Sequence, residues 1–250
     1  EMKNISIPVP TLSEQQRIAT FLDKKCGEVD SMIALQEEMI SELQAYKQSV
    51  ITEAVTHGLN PNVKMKDSGI EWIGEIPENW DVTRIKNISV FCPSKKEIVH
   101  DVIAYAPMEC LRNDILEHKE IESSKITSGL TYFEEGDIIM AKVTPCFENG
   151  NIAIAKGLKN GVGFGSSELF VFRNKESVAN RYLFYSLQNV NLKQRCCATM
   201  TGTGGLKRVS PIYMVNTYII VPSLPEQQNI ASYLDAKCSD IDRLISLKQE

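Results

Sequence analysis

From Leu12 to about Thr56 the chain contains no proline. Apolar residues return at Leu22, Cys26, Val29 and Ile33, then at Ile40, Leu43, Val50 and Ala54. This three-to-four spacing predicts one amphipathic α-helix, with Met32, Leu35, Met39 and Tyr46 widening the stripe. At 1.5 Å per residue it is roughly 65 Å long, where ordinary helices have about 11–12 residues, and a helix of that length calls for a partner. Thr11 and Glu14 stand at capping-box spacing at its start, and His57-Gly58 followed by Pro61 closes it. Gly27 is a candidate kink.

The same pattern comes back near the far end. VPTLSEQQRIATFLDKKCGEVD from Val9 matches VPSLPEQQNIASYLDAKCSDID from Val221 at an offset of 212, with 16 of the 30 positions through Glu38 identical. The interval is too long for a solenoid repeat of 20–50 residues. It indicates two large units, each ending in this helix. Ser223-x-x-Glu226 repeats the capping-box spacing, and Pro225 falls in the first turn, where a missing N–H is harmless. Met2–Val9 corresponds to Met214–Val221 and is expected to be the strand preceding the helix.

Between the helices, NPNVKMKDSGIEWIGEI has the character of a polar linker. IPENWDVTRIKNISVF and GDIIMAKV alternate in polarity and ELFVFR is apolar, so all three are expected to be strands. GVGFGSS is expected to be a hairpin, because it fails the G-x-G-x-x-G pattern and precedes a strand. Residues 177–196 are expected to form one helix, TMTGTGGLKRVS a glycine-rich loop and YMVNTYIIV a terminal strand. The expected fold is α+β: a mostly β domain flanked by long helices that form an antiparallel coiled coil.

Seven cysteines without a C-x-x-C pair, and no histidine at ligand spacing, point to reduced structural thiols; Cys26 and Cys238, at matching points of the repeat, suggest helix packing. No metal or cofactor is expected. No apolar run is long enough to cross a membrane, and residues 1–20 have no secretion-signal pattern, so a cytoplasmic protein is expected. The net charge of −5 discourages nucleic-acid binding until its distribution is considered: residues 140–212 hold ten Lys/Arg against three Asp/Glu. One basic block sits inside an acidic chain.

VPTLSEQQRIATFLD and VPSLPEQQNIASYLD, together with IGEIPENWDVTRIKNI, GDIIMAKV and GTGGLKRVS, resemble the specificity subunit of type I restriction-modification systems. The resemblance implies a terminal strand of another recognition domain at 1–11, a central spacer helix at 12–58 and a linker at 59–76. It places a target-recognition domain at 77–221 and the start of a distal spacer helix at 222–250. In that family two such domains each read half of a split DNA site, and paired helices hold them apart. Half-sites one helical turn apart are about 34 Å apart, so a stiff rod can set the spacing. The implied partners are double-stranded DNA, two modification (methyltransferase) subunits and restriction/translocase subunits. With one recognition domain present, the chain corresponds either to a fragment or to a half-length subunit that forms a homodimer.

A DNA reader needs cations for phosphates and directional groups for base edges. Within the basic block, Lys142, Thr144, Asn149 and Asn151 flank an expected hairpin, Ser166 and Ser167 follow a glycine run, and Arg173 lies in a strand. Thr201, Thr203, Lys207 and Arg208 belong to the glycine-rich loop, and Lys207 and Arg208 are the first choice. Asn suits adenine and Arg guanine. Against this stand plainer roles: Asn149-Gly150 as a turn, and Arg173, Lys156, Lys159 and Lys175 as solvated charges. Glu14-Gln15-Gln16, present in both copies, suits either capping or a modification-subunit contact. Asn60-Pro61-Asn62 falls short of the motif an adenine methyltransferase needs, and His57, His100 and His118 have no nucleophile beside them, so no catalytic residue is expected. A coiled-coil adaptor that binds protein rather than DNA is the alternative.

Overall fold

The computed structural model describes residues 8–95 and 99–249. Of the strand expected at Met2–Val9, all but Pro8 and Val9 lies outside the described residues, and those two are in neither helix nor strand. Helix α1 (Leu12–His57) runs as one α-helix through Gly27. The Thr11 N–H and hydroxyl donate to Glu14 Oε2 at 2.9 and 2.7 Å, the expected capping box. Gly58, at φ 81°, follows with its N–H donating to Ala54 O.

The chain continues through β1 (Met65–Asp67), β2 (Glu75–Pro77), β3 (Asp81–Arg84), the single turn α2 (Ile85–Ile88) and β4 (Ser89–Phe91). It then forms β5 (Val102–Ala106), β6 (Leu111–Arg112), β7 (Ile115–Leu116), β8 (Lys119–Glu122) and β9 (Thr131–Glu134). Next come β10 (Ile138–Ala141), β11 (Ile152–Ile154), β12 (Val162–Gly165) and β13 (Leu169–Asn174). Helices α3 (Asn180–Ser186) and α4 (Val190–Ala198) are followed by β14 (Thr201–Thr203), β15 (Leu206–Arg208), α5 (Pro211–Asn216), β16 (Tyr218–Val221) and α6 (Leu224–Gln249). The fold is α+β, a sheet-rich domain flanked by two long helices.

There are two compact units, one comprising α1 up to Tyr46 with α6 from Ser239, the other Lys47–Cys238. In the helical unit Ile18, Leu22, Val29, Met32 and Ile33 are exposed, whereas Ile40 and Leu43 are half-buried and Ile241 is buried.

In the larger unit, two four-stranded sheets, β11-β10-β13-β4 and β8-β5-β12-β9, carry the core. Ile139, Ala153, Leu169 and Val171 on one face of the first sheet cluster with Ala104, Ala106 and Phe133 of the second. On its other face Ile138, Met140, Phe170 and Phe172 join Tyr182, Leu183 and Leu192 of α3 and α4. Strand β10 is therefore buried on both sides, which is why Ile138-Ile139-Met140-Ala141 is continuously apolar.

Both long helices are anchored in this unit by the ends that lie within it. Ile51, Ala54 and Val55 of α1 share a core with Ile230, Ala231, Leu234 and Cys238 of α6. Thr56 Oγ1 accepts from Asn189 Nδ2, and Thr52 Oγ1 accepts from the Val190 N–H. On α6, Gln227 is 1% exposed; its Oε1 accepts from the Ala179 N–H at 2.8 Å and its Nε2 donates to Pro222 O. Arg181 donates to Asp114 and Asp235, and Tyr185 also donates to Asp235.

Several expectations change. GVGFGSS is not a hairpin: β12 pairs with β5 and β9, while β13 pairs with β10 and β4 in the other sheet. Gly163 and Gly165 are needed inside the sandwich, since an added Cβ would lie 2.2 Å from Phe133 at the first and 2.6 Å from Leu169 at the second. The single helix expected at 177–196 is two, because Asn189 accepts from the Asn191 and Leu192 N–H groups and starts α4 afresh. YMVNTYIIV begins as helix α5, capped by Ser210 with Pro211 in its first turn, before β16. IPENWDVTRIKNISVF is interrupted by α2. Residues 59–76 carry β1 and bury Ile73. Cys238 is packed, but its counterpart Cys26 is exposed. Burial pushes the Cys196 thiol up to about 12, far from the range of a reactive thiolate.

Candidate nucleic-acid interface

The loop expected at TMTGTGGLKRVS is a β-hairpin. Thr201 pairs with Arg208, Gly202 with Lys207 and Thr203 with Leu206, and all six residues are exposed. Gly204 and Gly205 form the two-residue turn with φ 62° and 81°, the signs a type I′ turn requires. Gly202 allows the strands to approach closely, because a Cβ there would lie 2.1 Å from Leu206 O.

The hairpin is fastened to the β10–β11 connection. The Thr144 hydroxyl donates to Gly205 O at 2.7 Å and accepts from the Lys207 N–H at 2.9 Å. The Thr144 N–H donates to Lys207 O, the Val209 N–H to Lys142 O, and Val143 bridges Arg208. A third segment, the turn between β12 and β13, joins the same place. The Lys142 N–H donates to Glu168 O, and the Glu168 N–H to Ser166 Oγ. The Glu168 carboxylate takes Arg208 Nε at 2.8 Å and Nη2 at 2.7 Å. The Arg208 guanidinium holds the Glu168 carboxyl below the usual carboxylate range.

Thus Lys142, Thr144, Ser166, Ser167, Thr201, Thr203, Lys207 and Arg208, drawn from three segments, lie on or directly beside one exposed hairpin. Thr144 is itself buried and acts as the fastener. Asn149 sits exposed in the turn that closes the β10–β11 connection, where its N–H donates to Pro145 O.

Two expected residues leave the set. Asn151 is buried, with its amide donating to Leu111 O. Arg173 donates through Nε and Nη2 to Asp137 at 2.8 and 2.7 Å and pairs with Glu134, so its fork is committed to structure. The basic block is also less cationic than its sum suggests, because Lys159, Arg173, Arg181 and Arg208 all stand in ion pairs. Sequence reasoning missed Glu168, although it is one of three acids in the block and follows Ser166-Ser167. Lys193 lies near the turn at Asn149-Gly150, with its Nζ 4.0 Å from where a Gly150 Cβ would be.

Among the described residues, no group of His, Cys, Asp and Glu is arranged to hold a metal ion, and no helix is long and apolar enough to cross a membrane.

Fold and site together define a binding module: an exposed, polar ribbon carrying Lys207 and Arg208 on a sheet-rich domain. The chain belongs to the type I restriction modification DNA specificity domain family, whose model matches residues 77–249. It is 33% identical to the type I restriction enzyme EcoAI specificity subunit of Escherichia coli over 199 residues, 77% of this chain and 33% of that protein. It is 26% identical to the MjaVIII specificity subunit of Methanocaldococcus jannaschii, with 99% of this chain and 58% of that protein covered. In fold it is similar to a chain of the type I R-M system, with TM-score 0.68 and 16% identity, covering 97% of this chain and 56% of that one. The HsdS subunit from Thermoanaerobacter tengcongensis gives TM-score 0.56 and 17% identity, covering 98% and 55%. The chain spans between a third and just over half the length of these relatives.

Proposed function

We propose that this chain is a DNA specificity module of a type I restriction-modification complex. It reads one half of a bipartite site through the β14–β15 hairpin and the loops that fasten it, and leaves the chemistry to partner subunits. The observation that carries this is the convergence of residues 142–144, 166–168 and 201–208 on a rigidly held, exposed ribbon. A two-stranded ribbon fits the major groove, and Lys142 and Lys207 suit phosphates beside it. In support, the relatives it matches are specificity subunits of type I restriction enzymes. Modification subunits, two per complex, and restriction/translocase subunits are the proposed partners, and the cell interior is the proposed site of action.

The helices act as spacer and scaffold in this proposal, paired antiparallel. The repeat adds a second seat. Gln227, Ile230, Ala231, Leu234 and Cys238 are buried against the sheet-rich unit, and their identical counterparts Gln15, Ile18, Ala19, Leu22 and Cys26 are exposed. The start of α1 then receives another domain of the same kind, carried by the same polypeptide or by a second copy of this chain. Repetition of Gln15 and Gln227 is explained by docking of this kind, with no modification-subunit contact required.

The test is a titration of the purified chain with mixed-sequence duplex at rising salt. Binding is expected to fall steeply, and Lys142→Ala and Lys207→Ala each to reduce the log–log slope by about 1. Absence of duplex binding at low salt contradicts the proposal and leaves a protein-binding adaptor.

A further inference from the structure

We infer that Glu168 is a positioning residue for base readout: it fixes the Arg208 guanidinium so that the remaining Nη1–Nη2 edge is presented to a guanine. The inference rests on the DNA-reading function proposed above and adds a residue and a base to it.

The geometry divides the guanidinium in two. Nε and Nη2 donate to the Glu168 carboxylate. Among the described residues no acceptor meets Nη1, so two N–H groups on the outer edge stay available. That edge matches the O6 and N7 acceptors of guanine in the major groove, the commonest bidentate Arg–base contact.

Both residues of the pair are held at the backbone. Arg208 is held at its backbone by the bridge to Val143 and by pairing with Thr201, with Val209 bonded to Lys142 just beyond it. Glu168 is held by Ser166 Oγ at its N–H and by the Lys142 N–H at its carbonyl. An arginine on an otherwise exposed ribbon samples many rotamers, and ordering it on binding opposes affinity. Here two of its donors are already engaged by Glu168 before DNA arrives, which narrows those rotamers.

Two plainer roles fit less well. As a stabilising surface ion pair the contact contributes little, since the side chains are 44% and 25% exposed. As a phosphate clamp Arg208 is poorly placed, because Glu168 cancels the charge that draws it to the backbone. A charge-compensated, oriented fork suits base discrimination better than general attraction.

The test uses the full chain and a pool of random-sequence duplexes at fixed salt, with the retained molecules sequenced. The wild type is expected to enrich a guanine at a position where Arg208→Ala loses the enrichment. At that position Glu168→Gln, which keeps one acceptor but replaces the other with a donor facing Nη2, is expected to lower the guanine preference by about 5- to 150-fold. Other positions stay as in the wild type. Arg208→Lys keeps the charge without the fork and is expected to lose the same preference. An unchanged preference in Glu168→Gln, or a loss spread evenly over all positions, overturns the inference. So does a wild type that selects a sequence with no Arg208-dependent guanine, while the proposed function stands. A wild type that retains no duplex overturns the proposed function and this inference with it. Circular dichroism and thermal midpoints confirm that each variant is folded.

Discussion

Trp80→Ala is expected to destabilise the sheet-rich unit by about 3–5 kcal/mol, the range for deleting a fully buried large aromatic side chain. Trp80 is 0% exposed and belongs to the core that also holds Ile51, Ala54 and Val55 at the end of α1. Its ring covers Gly58, where an added Cβ would come within 3.0 Å of Cζ2. Losing the indole therefore opens the joint between the last turns of α1 and the sheets. Urea unfolding of the chain, followed by circular dichroism, measures the shift. A loss below about 1 kcal/mol contradicts this role.

A four-residue insertion after Ala45 is expected to change which DNA the complex accepts without changing either half-site. Four residues add about 6 Å and about one turn to a helix that runs unbroken from Leu12 to His57. If the paired helices set the separation of two readers, the spacer between half-sites lengthens by one or two base pairs at about 3.4 Å each. Mapping the sites modified by the assembled complex checks this. An unchanged spacer rejects the ruler, while loss of all modification with the chain still folded shows that the partners depend on the original length.

The parts of the fold visible in the sequence are those in which periodicity and burial agree. The stripe from Leu22 to Ala54, the Thr11–Glu14 box and the Gly58 stop announce α1, and the repeat at Val221 announces α6. Strands β10 and β13 are visible as apolar runs. The β14–β15 hairpin reads as a loop in the sequence because Thr-Gly-Thr and Leu-Lys-Arg have no buried face to impose alternation. The Gly204-Gly205 pair was the available signal, two residues of the kind a type I′ turn demands. The break between α3 and α4 depends on one capping side chain, Asn189, inside a stretch that otherwise keeps helical spacing.

The site was legible in its residue types and less so in its partners. The sequence offers Lys142, Thr144, Ser166 and Arg208 one by one, and hydrogen bonds between segments about 25–65 residues apart bring them to one place. The same kind of long-range contact removes Arg173, tied to Asp137 across 36 residues, and Asn151, tied to Leu111 across 40. A charge sum along the chain counts Arg181 in the basic block; in three dimensions Asp114 and Asp235 claim it.

The most direct measurement of the central claim is amide hydrogen exchange of the full chain with and without a duplex that it binds. Slowed exchange is expected at 142–144, 166–168 and 201–208, with 151 and 173 unchanged. Protection elsewhere on the sheet-rich unit, with the hairpin unaffected, contradicts the claim that this ribbon is the part of the molecule that meets DNA.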